Sequence, residues 1–409
     1  MTTGPAAFPF RPSTRSDVDP FRVMQVLASA AARKSAGGEV FGLTAGQPST
    51  PAPKPALDAV HRALDELVLG YTQAPGLPEL RTGIAELYHR RYAIDVHPGQ
   101  VYVTTGSSSG FILAFLSAFD AGARVALARP GYPAYRNLLL ALGCEVVDLP
   151  CGPGTRFQPT VAMLERLTAG GEPLAGLIVA SPANPTGSMM VPAELTALAS
   201  YCGERGIRLI SDEIYHGITF GAVGQSCAWA TDRTGFVVNS FSKYFSMTGW
   251  RIGWLLVPGD LADRVDALAG NLAICPPAVS QVAAMAALNA TDECDGHVIR
   301  YAANRQLLVD GLADIGIDRV APPDGAFYLY ADVSRLTDDS SSWVARLLAE
   351  TGVALAPGID FDPVDGHRFV RMSFAGTESE IRGALRALGG FLSRPAAGAN
   401  PESRIRDHT

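Results

Sequence analysis

The chain has no run of 18 or more apolar residues, so no membrane-spanning helix is expected. Its first twenty residues lack the basic start and apolar run of a secretory signal. None of its six cysteines forms a Cys-x-x-Cys pair, none has a histidine at metal-ligand spacing, and the seven histidines form no cluster. No metal site is therefore expected, and free thiols in the cytoplasm are the simplest account. A basic patch is also missing. The net charge is −7 with acids and bases interspersed, which argues against a nucleic-acid partner. No internal repeat is found. What is present is a chain of 409 residues, 47% hydrophobic and 18% charged, long enough for two domains and ordinary for a soluble enzyme.

Hydrophobic periodicity divides the chain. Residues 1–19, rich in Pro, Ser, Thr and Arg, read as a flexible arm. Residues 20–35 read as a helix and 40–43 as a short strand, within an N-terminal segment, 20–55, that contributes to a small domain. From 56 to 295, helices at 55–68, 76–92, 106–119 and 132–142 alternate with short apolar strands. The strands are 101–104, 124–128, 144–149, 177–180, 208–211 and 236–239. This alternation predicts an α/β fold, a mostly parallel central sheet with helices on both faces. Two Ala- and Leu-rich helices follow, broken at Cys275-Pro-Pro277. Residues 296–394 read as a smaller α+β domain with strands at 325–330, 353–355 and 369–373. Residues 395–409 read as a disordered tail.

In such folds ligands bind at the carboxyl ends of the strands, and four polar motifs fall there. Thr104-Thr-Gly-Ser-Ser-Ser-Gly110 opens a helix and offers backbone N–H groups to a phosphate. Ala180-Ser-Pro-Ala-Asn-Pro-Thr-Gly187 holds the Asn184 amide between two prolines. Ser211-Asp-Glu-Ile-Tyr-His216 places Asp212 at the end of an apolar strand. A lone carboxylate is costly there unless it is paired, and a protonated pyridine would pair with it. Ser240-Phe-Ser-Lys243, continuing to Gly249-Trp-Arg251-Ile-Gly253, sets an amine among hydroxyls with a guanidinium eight residues on. A lysine in a low-dielectric pocket can attack a carbonyl, and the arginine and serines can hold a phosphate. Each loop alone also fits an ordinary turn, and Asp212 alone fits a helix cap. Together they describe a site for pyridoxal 5'-phosphate.

On these motifs the chain resembles the class I and II aminotransferases of pyridoxal-phosphate fold type I, from about Phe41 to Leu392. The resemblance implies residue roles. Lys243 is the Schiff-base lysine and proton shuttle, and Asp212 the pyridinium partner. Asn184 and Tyr215 meet the ring oxygen. Gly106, Ser107, Ser108, Ser240, Ser242 and Arg251 hold the phosphate. Tyr132, in Pro130-Gly-Tyr-Pro-Ala-Tyr135, stacks on the ring. Tyr71 reaches the phosphate of a neighbouring subunit, which implies a homodimer. Arg371 grips the substrate carboxylate, with Gly46 in the turn that approaches the substrate. Taken singly, Tyr132 and Tyr71 also fit packed tyrosines.

Departures bear on the substrate. Relatives that prefer dicarboxylates carry a second basic residue, either after the catalytic lysine or in the phosphate loop. Here 265–298 contains no Lys or Arg, and Ser108 stands in the loop. The expected substrates are a neutral aliphatic or aromatic L-amino acid and a 2-keto acid such as pyruvate, exchanged in a ping-pong cycle. Arg11 or Arg15 of the arm could supply the missing charge by reaching over the site. The common Phe-Gly after the Pro-Gly turn is here Phe361-Asp362, which the resemblance does not explain. Rival readings on the same fold are a carbon–sulfur β-lyase, an acyl-CoA-condensing enzyme and a non-catalytic regulator. The last would need an added DNA-binding domain, for which the N-terminal segment is too short.

Overall fold

The computed structural model describes residues 10–394; the expected tail at 395–409 and the first nine residues of the expected arm lie outside them. Twelve strands are formed among the described residues. They are β1 Phe41–Gly42, β2 Val101–Thr104, β3 Arg124–Arg129, β4 Glu145–Pro150, β5 Gly176–Ala180, β6 Arg208–Asp212, β7 Phe236–Ser240, β8 Gly253–Leu256, β9 Tyr328–Asp332, β10 Val353–Ala354, β11 Ala356–Pro357 and β12 Phe369–Ser373. The longer helices are α1 Arg22–Ser35, α2 Lys54–Glu66, α3 Pro78–Tyr92, α4 Gly106–Ala118, α5 Pro133–Leu142, α6 Val161–Thr168, α7 Pro192–Glu204, α8 Ala262–Ala273, α9 Ala278–Ala287, α10 Thr291–Asp314, α11 Ser340–Thr351 and α12 Glu378–Leu392.

Seven strands form the central sheet in the order β2-β8-β7-β6-β5-β3-β4. All run parallel except β8, which is antiparallel to both its neighbours. The apolar runs in these strands follow from having both faces covered. Successive residues go to opposite faces. Leu177, Val179, Leu209, Val237 and Leu256 join one buried cluster, and Ile178, Ile210, Phe236, Val238 and Leu255 join the other. A polar side chain at a strand's carboxyl end thus sits at the rim of a rigid double core.

A second, three-stranded antiparallel sheet has the order β11-β12-β9, and β1 pairs in parallel with β10. Arg371 lies in the middle of β12, opposite Tyr330 on one side and Ala356 on the other.

One sequence expectation needs correction. The strand expected at 325–330 begins only at Tyr328, because Ala326 takes φ +56° and its N–H turns to the Ile218 carbonyl at 2.9 Å. The 24-residue helix α10 runs through residues 295 and 296, from which the smaller domain was expected to start. Gly296 disfavours a helix locally by about 1 kcal/mol. Burial of Cys294, Tyr301, Leu308 and Leu312 on one face of the helix overrides that preference.

Phe361-Asp362 also acquires a structural account. Asp362 is buried and pairs with Arg129 at 2.7 Å. The Gly131 N–H donates to the Phe361 carbonyl at 2.9 Å. The end of β3 is thereby tied to the segment that precedes β12.

Candidate active site

A cavity of about 320 Å3 opens where the carboxyl ends of β5, β6 and β7 face β9, β12 and α1. It gathers Gly46, Ser107, Ser108, Tyr132, Asn184, Asp212, Tyr215, Ser242, Lys243, Arg251 and Arg371 into one lining. Two further candidates stand behind that lining. Gly106 takes φ +70°, and a Cβ there would lie 2.3 Å from Arg251 Nη2, so only glycine lets the guanidinium close on this loop. Ser240 accepts the Ser242 N–H at 2.9 Å, and its Oγ lies 2.7 Å from Ser242 Oγ, which orients the second hydroxyl. Tyr71 does not join the cavity of its own chain; it is 84% exposed.

Asp212 closes β6 and is almost fully buried. Burial pushes its carboxyl up to about 6, against the pull of two donors. These are the Tyr135 hydroxyl and the Ile214 N–H, the latter at 3.1 Å. Burial, with Asp212 adding to it, holds the Tyr135 phenol well above its ordinary value, so it stays a donor. The adjacent acid, Glu213, turns away and accepts from the Ala228 N–H at 2.9 Å. Burial pushes Glu213 up to about 8, so Asp212 is the group able to carry charge at this rim near neutral pH.

Lys243 follows β7 and points its Nζ into the cavity, where it donates to the Gly46 carbonyl. Burial lowers its amine to about 8, with the Arg371 charge adding to the effect. A usable fraction is therefore the neutral nucleophile near physiological pH. Tyr215 Oη lies 2.9 Å from Tyr328 Oη. A Cβ on Gly46 would stand 2.6 Å from that same Tyr328 oxygen, so the turn at Gly46 must lack a side chain.

Arg371 is 4% exposed. Nη1 donates to Asn184 Oδ1 at 2.9 Å and Nη2 to the Thr44 carbonyl at 2.7 Å. Its guanidinium lies over the rings of Tyr328 and Phe361, 4.4 and 4.7 Å from their centroids. Its Nε is buried without a partner, a donor left available beside the cavity.

At the anion end, α4 begins at Gly106 with no side-chain cap from Thr105. Its first N–H groups and its dipole favour a negative group between Ser107, Ser108, Ser242 and Arg251. Tyr132 packs face to face with Phe21 at 6.2 Å between centroids, and edge-on to Tyr135 at 5.3 Å.

Sequence reasoning assigned no role to Tyr135, Tyr328, Asp360 or the apolar face of α1. Tyr135 follows Tyr132 by three residues in an expected helix, a spacing that puts both on one face. Tyr328 and Asp360 reach the site through tertiary pairing that no local pattern announces. Arg11 and Arg15 are exposed and are not among the residues lining the cavity. No group of metal-ligating side chains is found among the described residues, and no helix among them is long and apolar enough to cross a membrane.

Comparison with known proteins is consistent with this geometry. Residues 38–388 match the family model described as aminotransferase class I and II. The chain is 57% identical to the valine–pyruvate aminotransferase of Mycobacterium tuberculosis over 93% of its own length and 98% of the relative's. A crystal structure of an aminotransferase from the same organism superposes with a TM-score of 0.92 at 57% identity, covering 94% of this chain and 99% of that one. The aspartate aminotransferase of Thermus thermophilus, solved with maleate, superposes with a TM-score of 0.86 at 29% identity, covering 93% of this chain and all of that one.

Proposed function

The chain belongs to the class I and II aminotransferases and is a transaminase, and from that premise we propose that it moves the amino group of a neutral L-amino acid, such as valine, to pyruvate. The observation that carries the donor side is the charge inventory of the cavity. Its lining cations are Lys243, Arg251 and Arg371. In this reading each has a task already, and none is left for a side-chain carboxylate. The 57% identical relative is named for valine and pyruvate, which supports the same pair here.

Pyridoxal 5'-phosphate is the proposed cofactor, and the site fits it. Asp212 is a buried carboxylate that faces no cation in hydrogen-bond contact, Lys243 is an amine made less basic, and Gly106 lets the Arg251 guanidinium close on the uncapped start of α4. When bound, the cofactor supplies an aldehyde that takes up the donor's amine and a protonated ring that draws electrons from its α-carbon. Asp212 would keep the ring nitrogen protonated, and Tyr135 would keep Asp212 oriented. Asn184 and Tyr215 would meet the ring oxygen, and Tyr132 would cover one ring face. Ser107, Ser108, Ser242, Arg251 and the start of α4 would hold the phosphate, with Gly106 and Ser240 supporting them. Arg371 would grip the α-carboxylate, using the Nε that now lacks a partner, and so orient the α-carbon's bonds. Lys243 would take and return the α-proton as general base and acid.

The active unit in this reading is a homodimer in the cytoplasm. Val68, Tyr71, Leu272 and Ile274 are large apolar side chains, each at least half exposed. The Thr72 N–H donates to Cys275 Sγ at 3.4 Å, so the two segments lie side by side. A second copy covering this patch would bring Tyr71 to the neighbour's phosphate site. Mixing two inactive variants, one at Tyr71 and one at Lys243, should then restore activity in hybrids; a fully active monomer in sedimentation would refute the pairing. The six free cysteines suit a reducing compartment.

The donor is tested by adding amino acids singly to the loaded enzyme and following loss of the cofactor's visible absorbance. Valine should exceed aspartate in kcat/KM by roughly a hundredfold, the cost of an unpaired buried carboxylate. Aspartate reacting at least as well as every neutral donor would overturn this choice of substrate.

A further inference from the structure

The helix α1 starts without a cap of its own. Phe21, the residue before it, supplies no side-chain acceptor, so the first N–H groups must find partners elsewhere. They find them 338 residues along the chain. The Arg22 N–H donates to one oxygen of Asp360 at 3.0 Å, and the Val23 N–H donates to the other at 2.7 Å. A carboxylate here also meets the favourable end of the helix dipole. Asp360 belongs to a single turn, Gly358–Asp360, that leads from β11 to Phe361.

The placement of this contact gives it functional weight. Phe21, Val23, Met24 and Leu27 line the cavity, and Asp360 lines it with them. Elsewhere Ala30 is its single buried residue, Val23 and Val26 are partly buried against neighbouring clusters, and near its far end Arg33 donates to the Ala349 carbonyl at 2.8 Å. A helix with so little buried area depends on the polar contacts at its two ends, and Asp360 makes those at the end that lines the cavity. Burial holds the Asp360 carboxyl above its ordinary value, and the charges of Arg22 and Arg371 act in the opposite direction.

We propose that Asp360 is a specificity-determining residue: it docks α1 as an apolar wall over the site, and its own charge makes the space under that wall unfavourable for a donor's second carboxylate. The proposal rests on the neutral-donor reading given above. Asp360 touches none of the residues assigned to bond making, so it is a positioning residue. Both its oxygens are committed to backbone donors, and among the described residues the cations lining the cavity, Lys243, Arg251 and Arg371, each have another task in the proposed reading.

The test uses the full-length holoenzyme and three variants, Asp360→Ala, Asp360→Asn and Arg22→Pro. Hydrogen exchange reads the helix; half-reactions with valine and with aspartate read the donor choice. In Asp360→Ala, exchange across residues 22–35 should rise about tenfold, as loss of a helix cap implies, while β5, β6 and β7 stay protected. KM for valine should rise roughly tenfold with kcat within about threefold, and the valine-to-aspartate ratio of kcat/KM should fall roughly tenfold. Asp360→Asn keeps an acceptor and loses the charge, so the ratio should fall while exchange rises less. Arg22→Pro leaves Asp360 in place and removes one N–H at a position that suits proline. It should loosen α1 even if the other two variants fail to fold. Unchanged exchange in α1, or valine and aspartate changing by the same factor, overturns the proposal. If the wild-type enzyme reacts with no neutral donor, the substrate reading falls on that result alone. The exchange measurement then decides whether Asp360 holds the helix.

Discussion

The floor of the cavity and its roof are built on different physical terms. The floor is set at the carboxyl ends of β5, β6 and β7, inside a sheet whose two faces are fully packed. Asp212, Ser240 and Ser242 are each under 5% exposed, and the strand ends leave them little freedom. The roof is α1, a helix with one buried residue, held at its tip by a carboxylate from the far end of the chain. In the proposed reading, reactive groups would sit on the rigid part, and groups that meet a donor's side chain on the looser part. Changes in the floor should therefore appear in kcat, and changes in the roof in KM and donor choice.

The sharpest way to break this division is at Lys243. Lys243→Ala should lower turnover by more than about 10^4-fold, since it removes both the nucleophile and the proton carrier. The chain contains only two other lysines, Lys34 and Lys54, and both lie on helices outside the cavity lining. Borohydride reduction and peptide mapping of the wild type can thus be read without ambiguity. A pyridoxyl group on Lys34 or Lys54 would remove Lys243 from the floor's chemistry.

Asp212 should cost the next largest factor, and it separates function from stability. Asp212→Asn keeps an acceptor for Tyr135 and loses the charge, so turnover should drop by roughly 10^3-fold. The stability effect has the opposite sign. In the cofactor-free protein the carboxyl rises from 3.8 to about 6, chiefly through burial. The folded state is therefore relatively favoured below pH 3.8, and that advantage is lost as pH rises through about 6. Moving the carboxyl from 3.8 to about 6 corresponds to about 3 kcal/mol. Cofactor-free Asp212→Asn should melt above the wild type at pH 8, with the gap closing toward pH 4. A variant less stable than wild type at pH 8 would show that Asp212 is a structural anchor.

The same division governs what could be read from sequence. The floor was legible because each of its groups lies within a few residues of a strand end, in contiguous motifs such as Ser211-Asp-Glu-Ile-Tyr-His216. Local pattern and tertiary position coincide there. The alternation of strands and helices followed from burial on both faces, and the single antiparallel strand of the central sheet, β8, was hidden at the end of the lysine segment. The roof was not legible. The contacts of Asp360 with Arg22 and Val23 span 338 and 337 residues and leave no periodicity.

Tyr328 joins the floor to the second sheet, and its substitution should have the smallest effect of the three. It belongs to β9 of the second sheet, yet its hydroxyl lies 2.9 Å from that of Tyr215, and its ring lies under the Arg371 guanidinium at 4.4 Å. Tyr328→Phe keeps the ring and removes the hydroxyl. Arg371 should then stay in place, so KM for the donor should change by less than about threefold. Tyr215 loses its partner in a fully buried setting, and an unsatisfied buried hydroxyl costs about 1–3 kcal/mol. Part of that is recovered when Tyr215 turns to another acceptor, so kcat should fall by roughly tenfold. Space also opens above Gly46, where a Cβ would otherwise stand 2.6 Å from the Tyr328 oxygen. Gly46→Ala should therefore be tolerated better in the Tyr328→Phe background than in the wild type, which a double-mutant cycle on kcat/KM would measure. Additive effects in that cycle would mean that the turn at Gly46 and Tyr328 act independently, and that the floor and the second sheet do not meet at this hydroxyl.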